Sequence, residues 1–160
     1  MEMNYCMRCG AKLTLRELRG EGMTPYCEGC GDYRFPVFST AVSMVTTNPE
    51  RTRILLITQY GKPYFVLPAG YVNKGEAAEH AVRRELVEEL GMEPLSMRFL
   101  SSHYYEPSET LMLNFAVTVP ERDPDPNWEI DSWRWFDMDK AMDYVRPGGL
   151  ASRLLRDWKE

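Results

Sequence analysis

The sequence has no apolar run that approaches the roughly 18 residues of a membrane-spanning helix, and its N-terminus has no basic stretch followed by an apolar one. We therefore expect no membrane partner, no secretory signal and a cytoplasmic location. A basic excess is also absent, because the net charge is −5 at pH 7. Proteins that bind nucleic-acid backbones usually carry surplus positive charge, so this balance is evidence against a nucleic-acid partner. A small anionic ligand bound through a cation is compatible with it.

Cysteine does not occur after residue 30, and the four cysteines form two Cys-x-x-Cys pairs, Cys6/Cys9 and Cys27/Cys30, each followed by glycine. Two such turns can direct four thiolates at one ion, as in tetrahedral structural zinc sites. Two disulfides are the main alternative, which a reducing cytoplasm disfavours, and iron in the same cage is the next. The spacing predicts a zinc ribbon over residues 1–36. Since that segment has little apolar content, the ion would supply much of its folding free energy.

Regular patterns begin after residue 36, and residues 37–160 are predicted to form one α/β domain. Stretches rich in β-branched and apolar residues, bounded by turn residues, predict strands. They cover 39–48, 53–60, 63–72, 97–105, 110–119 and 132–136. Pro68 and Gly70 favour a bend at the end of the third strand. A closing helix is predicted over 148–158.

A further helix, predicted over 76–90, carries an acidic cluster. Apolar residues recur at every fourth position and form a buried stripe: Ala78, Val82, Leu86 and Leu90. Gly91 stands where a C-terminal cap is expected. Glu85, Glu88 and Glu89 are spaced so that their carboxylates converge on one side of the helix. A solvated acidic face is the alternative interpretation, but like charges at this spacing become useful when a divalent cation neutralises them.

The stretch 70–92 resembles the Nudix box, whose pattern is G-x5-E-x7-R-E-U-x-E-E-x-G-U, with U a bulky aliphatic residue. Every fixed position is matched, by Gly70, Glu76, Arg84, Glu85, Leu86, Glu88, Glu89, Gly91 and Met92. The resemblance implies an α/β/α sandwich around a mixed sheet, and hydrolysis of a nucleoside diphosphate linked to another group. It further implies a small nucleotide substrate and a homodimer.

The same resemblance implies roles for the box residues. Three glutamates would bind Mg²⁺ or Mn²⁺, with the carbonyl of Gly70 as a further ligand: Glu85, Glu88 and Glu89. One glutamate would help to deprotonate the attacking water, and Glu85 and Glu88 are both candidates for this base. Glu76 and Arg84 would pair to join the loop to the helix. Such a site suits a pyrophosphate, because its negative charge repels a nucleophile until cations screen it.

A four-cysteine ribbon directly before a Nudix domain resembles the bacterial NADH pyrophosphatase family, which cleaves NADH or NAD⁺ into a nicotinamide mononucleotide and AMP. That family carries S-Q-P-W-P-F-P-x-S and then Leu-Met after the box. This chain has SSHYYEPSETLML over 101–113, which keeps Leu111-Met112 but lacks the Gln-Pro-Trp. ADP-ribose and nucleotide sugars are therefore alternative substrates. Tyr104 and Tyr105 are candidates for stacking on a base, with simple packing in a strand as the alternative.

Glu129 is a candidate for a fourth acidic metal ligand. It stands six residues before Trp135-Phe136, which resembles the E-x5-W-F arrangement of Nudix domains that have such a ligand. Two other glutamates compete for the role, and two histidines are interpreted as surface or packing residues: Glu106, Glu109, His80 and His103. A non-catalytic module that senses a ligand or binds nucleic acid is the alternative to an enzyme. The complete set of box glutamates favours the enzyme.

Overall fold

The computed structural model describes residues 3–159, apart from the side chains of Asp157 and Lys159. The outer limits predicted for the two domains, residues 1 and 160, lie outside this range. The chain forms two compact units, Met1–Phe38 and Ser39–Glu160. Within the described residues, no helix is both long enough and apolar enough to span a membrane.

The first unit is a three-stranded antiparallel sheet in the order β1-β2-β3. Its strands are β1 (Thr14–Leu18), β2 (Gly22–Cys27) and β3 (Asp32–Tyr33). Only Cys6, Thr24 and Cys27 are buried among the described residues of this unit. The unit therefore has no aliphatic core, and the packing of its apolar side chains contributes little to its stability.

The second unit contains a six-stranded mixed sheet and two helices. Its elements are β4 (Ser39–Thr47), β5 (Arg53–Gln59), β6 (Ala69–Tyr71), α1 (Ala78–Leu90), β7 (Ser96–Tyr105), β8 (Thr110–Thr118), β9 (Ile130–Asp137) and α2 (Leu150–Lys159). The strand order is β7-β8-β4-β5-β9, and β6 also pairs with β4. Strands β4 and β8 are parallel, and the other pairs are antiparallel.

The helices pack on opposite faces of this sheet. Alternate side chains of β5 point to opposite faces, so Leu55 and Ile57 contact the core that includes α1, whereas Ile54 and Leu56 contact the core that includes α2. The predicted α/β/α architecture with a mixed sheet is confirmed.

The predicted strand 63–72 forms only in part. Its last third is β6, whereas Val66 makes an isolated bridge with Ile57. Pro63 and Pro68 lack the amide proton that a continuous ladder requires, which explains the interruption. Every other predicted helix and strand agrees with the structure to within two residues at each end.

Strand β4 bonds to different neighbours at its two ends, and this positions the candidate site. Near its C-terminal end it pairs with β5 through Thr47 and Ile54. At its other end, residues 41–43 pair with β6, which places Gly70 opposite Val42. The chain then leaves the sheet through the loop that leads to α1.

Candidate active site

Helix α1 carries the acidic residues, and its apolar side chains are packed firmly in the core. Val82, Leu86 and Leu90 of the predicted stripe are fully buried, and Ala78 packs at the edge of the same core. The helix ends at Gly91, whose φ of 62° is left-handed and whose amide donates to the carbonyl of Val87 at 3.0 Å. Glycine adopts this conformation without strain. The direction of the three glutamates is thus set by the buried face of the helix.

Gly70 lies directly against Glu85. A β-carbon built on Gly70 would stand 1.9 Å from Cδ and 2.1 Å from Oε1 of that glutamate. Any other residue at position 70 would therefore displace the carboxylate or the backbone of β6. The requirement for glycine here comes from close approach, and it explains why the box begins with this residue type.

Arg84 binds most of the neighbouring acidic groups. Its Nε and Nη2 donate to the two oxygens of Glu76 at 2.8 and 2.9 Å, which is the bidentate geometry that guanidinium favours. Its Nη1 donates to Glu85 at 2.7 Å and to Glu88 at 3.2 Å, and Nη2 also reaches the carbonyl of Tyr71 at 2.9 Å. Arg84 lowers the pKa of Glu76 to about 2. The implied pairing of Glu76 with Arg84 is present.

Glu89 is the most buried of the acidic residues, with 4% of its surface exposed. Gln59 Nε2 donates to its Oε1 at 3.4 Å, whereas its buried Oε2 accepts no hydrogen bond from the described residues. Burial, followed by the charges of Glu85 and Glu129, raises the pKa of Glu89 to about 8. Burial also raises the pKa of Glu85. A buried carboxylate oxygen without a hydrogen-bond donor, among other carboxylates, suits a divalent cation with oxygen ligands.

Glu129 precedes β9 and faces the same cleft as the box glutamates. Its Oε2 accepts a hydrogen bond from the hydroxyl of Tyr60 at 3.1 Å. The adjoining loop is attached to α1, because the amide of Asn127 donates to the carbonyl of Glu89 at 3.0 Å. The next residue, Trp128, is 85% exposed. The structure thus brings Glu129 to the acidic cluster, whereas its competitors Glu106 and Glu109 do not line the cleft.

The carboxylates are spread along the cleft. Among the described residues, only the four cysteines place three or more ligand atoms within 4.8 Å of one another.

The cleft has a volume of about 660 Å³, within the range of small-molecule sites. Its lining includes residues that sequence reasoning missed: Gln59, Tyr60, Lys62, Tyr64 and Arg146. No motif marks them, since they come from the end of β5, from the segment that follows it and from the segment before α2.

The two candidate stacking tyrosines differ in position. Tyr105 lines the cleft, whereas Tyr104, its neighbour in β7, does not and is 47% exposed. Successive residues of a strand point to opposite faces, which separates the two tyrosines.

The histidines lie where packing or surface residues are expected: His80 is exposed on α1, and His103 Nδ1 is 3.1 Å from the amide nitrogen of Asn114 in the neighbouring strand.

The four cysteines of the first unit form one cluster, with all their sulfur atoms within 4.8 Å of one another. Cys9 Sγ is 3.4 Å from Cys27 Sγ, and Cys6 Sγ is 3.9 Å from Cys30 Sγ. All four cysteines are free thiols in this structure, and the two distances bracket the ~3.8 Å between sulfur atoms of a tetrahedral site with Zn–S bonds of about 2.3 Å. The residues therefore fit zinc.

The backbone around each cysteine pair has matching geometry. Gly10 and Gly31 have φ of 75° and 67°, and each donates its amide to the carbonyl of the first cysteine of its pair at 2.8 Å. Arg34 Nε donates to Cys6 Sγ at 3.2 Å and lowers the pKa of that thiol to about 6. A thiolate is the form that coordinates a metal, so this arginine favours the state needed for binding.

Comparisons with known proteins agree with the geometry. The NUDIX domain model matches residues 37–155. The NAD-capped RNA hydrolase NudC of Chromobacterium violaceum is 27% identical over 95% of this chain and 57% of its own length. The NAD-capped RNA hydrolase NUDT12 of Homo sapiens is 25% identical over 96% of this chain and 37% of its own length. The chain thus spans about half or less of these relatives.

Solved structures share the fold. A NUDIX hydrolase from Nitrosomonas europaea superposes with a TM-score of 0.68 at 20% identity, over 98% of this chain and 89% of that one. The NUDIX domain of Shewanella oneidensis NrtR, solved as a complex with ADP ribose, gives 0.65 at 14% identity, over 84% and 92% of the two chains. At these identities the likeness concerns the arrangement of helices and strands.

Proposed function

Because this chain belongs to the NUDIX domain family, we propose that it is a metal-dependent pyrophosphohydrolase that cleaves the diphosphate of an ADP-containing dinucleotide such as NADH or NAD⁺. The products would be AMP and a second mononucleotide. The observation that carries the proposal is the buried Oε2 of Glu89, which has no hydrogen-bond partner among the described residues and lies among the other carboxylates of a cleft large enough for a nucleotide.

Mg²⁺ or Mn²⁺ would be bound by the carboxylates of the cleft, with the carbonyl of Gly70 as a further ligand: Glu85, Glu88, Glu89 and Glu129. When bound, these cations supply charge that screens the diphosphate oxygens and stabilises the leaving phosphate. Carboxylate and carbonyl oxygens are the ligands that both ions prefer. Arg84 sets the direction of Glu85 and Glu88 through its hydrogen bonds to both.

The general base is assigned to Glu85 or Glu88. Burial raises the pKa of Glu85, which increases its affinity for a proton taken from water. Glu88 is more accessible, with 57% of its side chain exposed. Glu85→Gln and Glu88→Gln distinguish them when Mn²⁺ binding and turnover are both measured: the variant that loses turnover while it keeps more of its Mn²⁺ affinity identifies the base.

The substrate is inferred from the names of the curated relatives and from the aromatic lining of the cleft. Both relatives are named for hydrolysis of NAD-capped RNA, so NAD at the 5′ end of RNA belongs among the substrates to test. Tyr105 would stack on a base of the substrate, because an aromatic side chain can stack on the flat face of any base. Tyr104 does not line the cleft, so it would contact only a part of the substrate that extends out of it.

The first unit is proposed to be a structural zinc ribbon over residues 1–36, before a hydrolase domain over 37–160. Four thiolates fill the coordination of zinc and leave no position for substrate. The part of this unit that the structure describes, residues 3–38, buries no aliphatic side chain, so a bound ion would supply a large share of its stability.

The test is a hydrolysis screen with Mg²⁺ and with Mn²⁺, analysed by chromatography. Its substrates are NADH, NAD⁺, ADP-ribose, a nucleotide sugar, a nucleoside triphosphate and an NAD-capped RNA oligonucleotide. We expect AMP plus a mononucleotide from NADH, and cleavage of NAD⁺ or ADP-ribose within about two orders of magnitude of it, or ~2.7 kcal/mol. Activity on triphosphates alone, or on no ADP-containing diphosphate, would exclude the proposal. Saturable binding of ADP-ribose without turnover would instead support a sensing module.

A matched pair of variants tests the role of the carboxylates. Glu88→Gln and Glu89→Gln should abolish turnover while the protein stays folded, because these groups bind cations rather than build the core. The control is Glu93→Gln, which removes only an exposed carboxylate paired with Arg83. A loss of less than tenfold for the first two, under about 1.4 kcal/mol of barrier, would count against the metal cluster.

A further inference from the structure

The turn Gln59–Lys62 follows β5 and has an unusual residue at its tip. The amide of Lys62 donates to the carbonyl of Gln59 at 3.2 Å, and the two central residues, Tyr60 and Gly61, have φ of 55° and 65°. Positive φ at both positions is the requirement of a type I′ turn, for which Asn-Gly is the favoured pair. A bulky aromatic residue is an outlier in the left-handed region. Turn geometry alone therefore does not explain Tyr60.

This turn donates hydrogen bonds to two glutamates of the cleft. Gln59 Nε2 donates to Oε1 of Glu89, and the hydroxyl of Tyr60 donates to Oε2 of Glu129. Each bond engages one oxygen of its carboxylate. The second oxygen of Glu89 is buried and accepts no hydrogen bond within the described part of the chain. The turn thus holds one oxygen of each carboxylate, and in Glu89 the other oxygen is available to a cation.

The turn is also attached to the strand that follows Glu129. The amide of Gly61 donates to Oδ2 of Asp131 at 2.7 Å. The segment that carries Glu129 is therefore attached to the turn at two points. The carboxylate of Glu129 accepts a hydrogen bond from Tyr60, and the side chain of Asp131 accepts one from Gly61. A glutamate with three rotatable bonds loses entropy when it binds a metal, and a hydrogen bond that already selects its conformation reduces that loss.

We propose that Tyr60 is a positioning residue that orients the carboxylate of Glu129 toward a divalent cation in the cleft. The inference rests on the metal-dependent function proposed above. The bond from its hydroxyl to Glu129 at 3.1 Å accounts for a bulky residue at a left-handed backbone position.

Mn²⁺ binding to the intact, zinc-loaded chain without substrate tests this, with free Mn²⁺ measured by electron paramagnetic resonance. Tyr60→Phe removes only the hydroxyl, and we expect about tenfold weaker Mn²⁺ binding with an unchanged Tm. Tyr60→Asn removes the hydroxyl and also relieves the strain, so it should weaken Mn²⁺ binding similarly while it raises Tm by ~2–4 °C. A general loss of structure cannot produce a more stable protein that binds metal less well.

The control is Tyr5→Phe, which removes a hydroxyl from a tyrosine of similar exposure in the other unit and should bind Mn²⁺ as the natural chain does. If Tyr60 acts through Glu129, adding Tyr60→Phe to Glu129→Gln should weaken binding no further. An additional loss in that double variant, or affinity within twofold of the natural chain for Tyr60→Phe, would overturn the positioning role alone. Failure of the natural chain to bind Mn²⁺ would overturn the proposed function as well.

Discussion

Gly70 and Glu85 approach so closely that a single methyl group on the glycine would overlap the carboxyl carbon of the glutamate. We expect Gly70→Ala to lower turnover by more than tenfold, or about 1.4 kcal/mol of barrier, because the carboxylate must move away. The Tm should also fall. Hydrolysis assays measure the turnover, and thermal unfolding measures the Tm.

A second substitution identifies the clash as the cause. The three atoms nearest to the new methyl all lie beyond Cβ of Glu85, so Glu85→Ala removes them. In that background, Gly70→Ala should cost little further stability. Equal losses of Tm in both backgrounds would show that the glycine is needed for another reason.

Arg84 and Arg83 are adjacent, and they provide a matched comparison. Arg84→Lys keeps the charge but loses the bidentate bond to Glu76 in a partly buried site, with 25% and 15% of the two side chains exposed. We expect a loss of about 1–3 kcal/mol of unfolding free energy. Arg83→Lys changes an exposed pair with Glu93 and should cost less than about 0.5 kcal/mol. Urea unfolding of both variants is the measurement, and equal losses would contradict the assignment.

Glu89 makes the stability of the chain depend on pH when Mg²⁺ and Mn²⁺ are absent. Its pKa is raised from 4.5 to about 8, mainly by burial. The folded state therefore binds more protons than the unfolded state between these values, and the unfolding free energy falls as pH rises from 4.5 to 8. For one proton, the slope is at most about 1.4 kcal/mol per pH unit. Because burial raises the pKa of Glu85 in the same direction, Glu89→Gln should reduce this loss without abolishing it, as measured by urea unfolding at pH 5 and pH 8.

The control for this pH dependence is Glu88→Gln, which changes an exposed glutamate of the same helix. It should keep the decline in stability between pH 5 and pH 8. A Glu89→Gln variant that declines as steeply as the natural chain would show that another group is responsible.

Zinc content is the fourth prediction. We expect one zinc ion per chain by elemental analysis, and its loss together with unfolding of the first unit in Cys9→Ser. Met7→Ser is the matched control, because Met7 lies between the first two cysteines and is exposed. Absence of zinc from the natural chain, or a thiol titration that finds disulfides, would contradict the prediction.

Several parts of this structure were predictable because local sequence determines them. The stripe of Val82, Leu86 and Leu90 follows from the helical period, and the cap at Gly91 follows from the freedom of glycine to adopt positive φ. The spacing of the cysteines likewise predicts their cluster. The helical features depend on residues that are neighbours in the chain, and the cysteine cluster joins two pairs that are each local, Cys6/Cys9 and Cys27/Cys30.

The remaining features depend on contacts between distant residues. Only the pairing of β5 with β9 brings Tyr60 close to Glu129, and only burial against the sheet distinguishes Glu89 from Glu88, its neighbour in the same acidic run. For the strand predicted over 63–72, Pro68 and Gly70 indicated only a bend at its end, because the apolar residues before them contribute to the core without continuous pairing. Composition does not record such differences.

The hydrogen bonds of Arg84 have a consequence for how metal enters. Without a divalent ion, the guanidinium is the counter-ion of Glu85 and Glu88, so α1 can fold although its acidic residues repel one another. A metal that binds these carboxylates must compete with a cation that belongs to the chain. Loading of the proposed metal would therefore be an exchange of counter-ions, and its measured affinity would be a difference between two attractions.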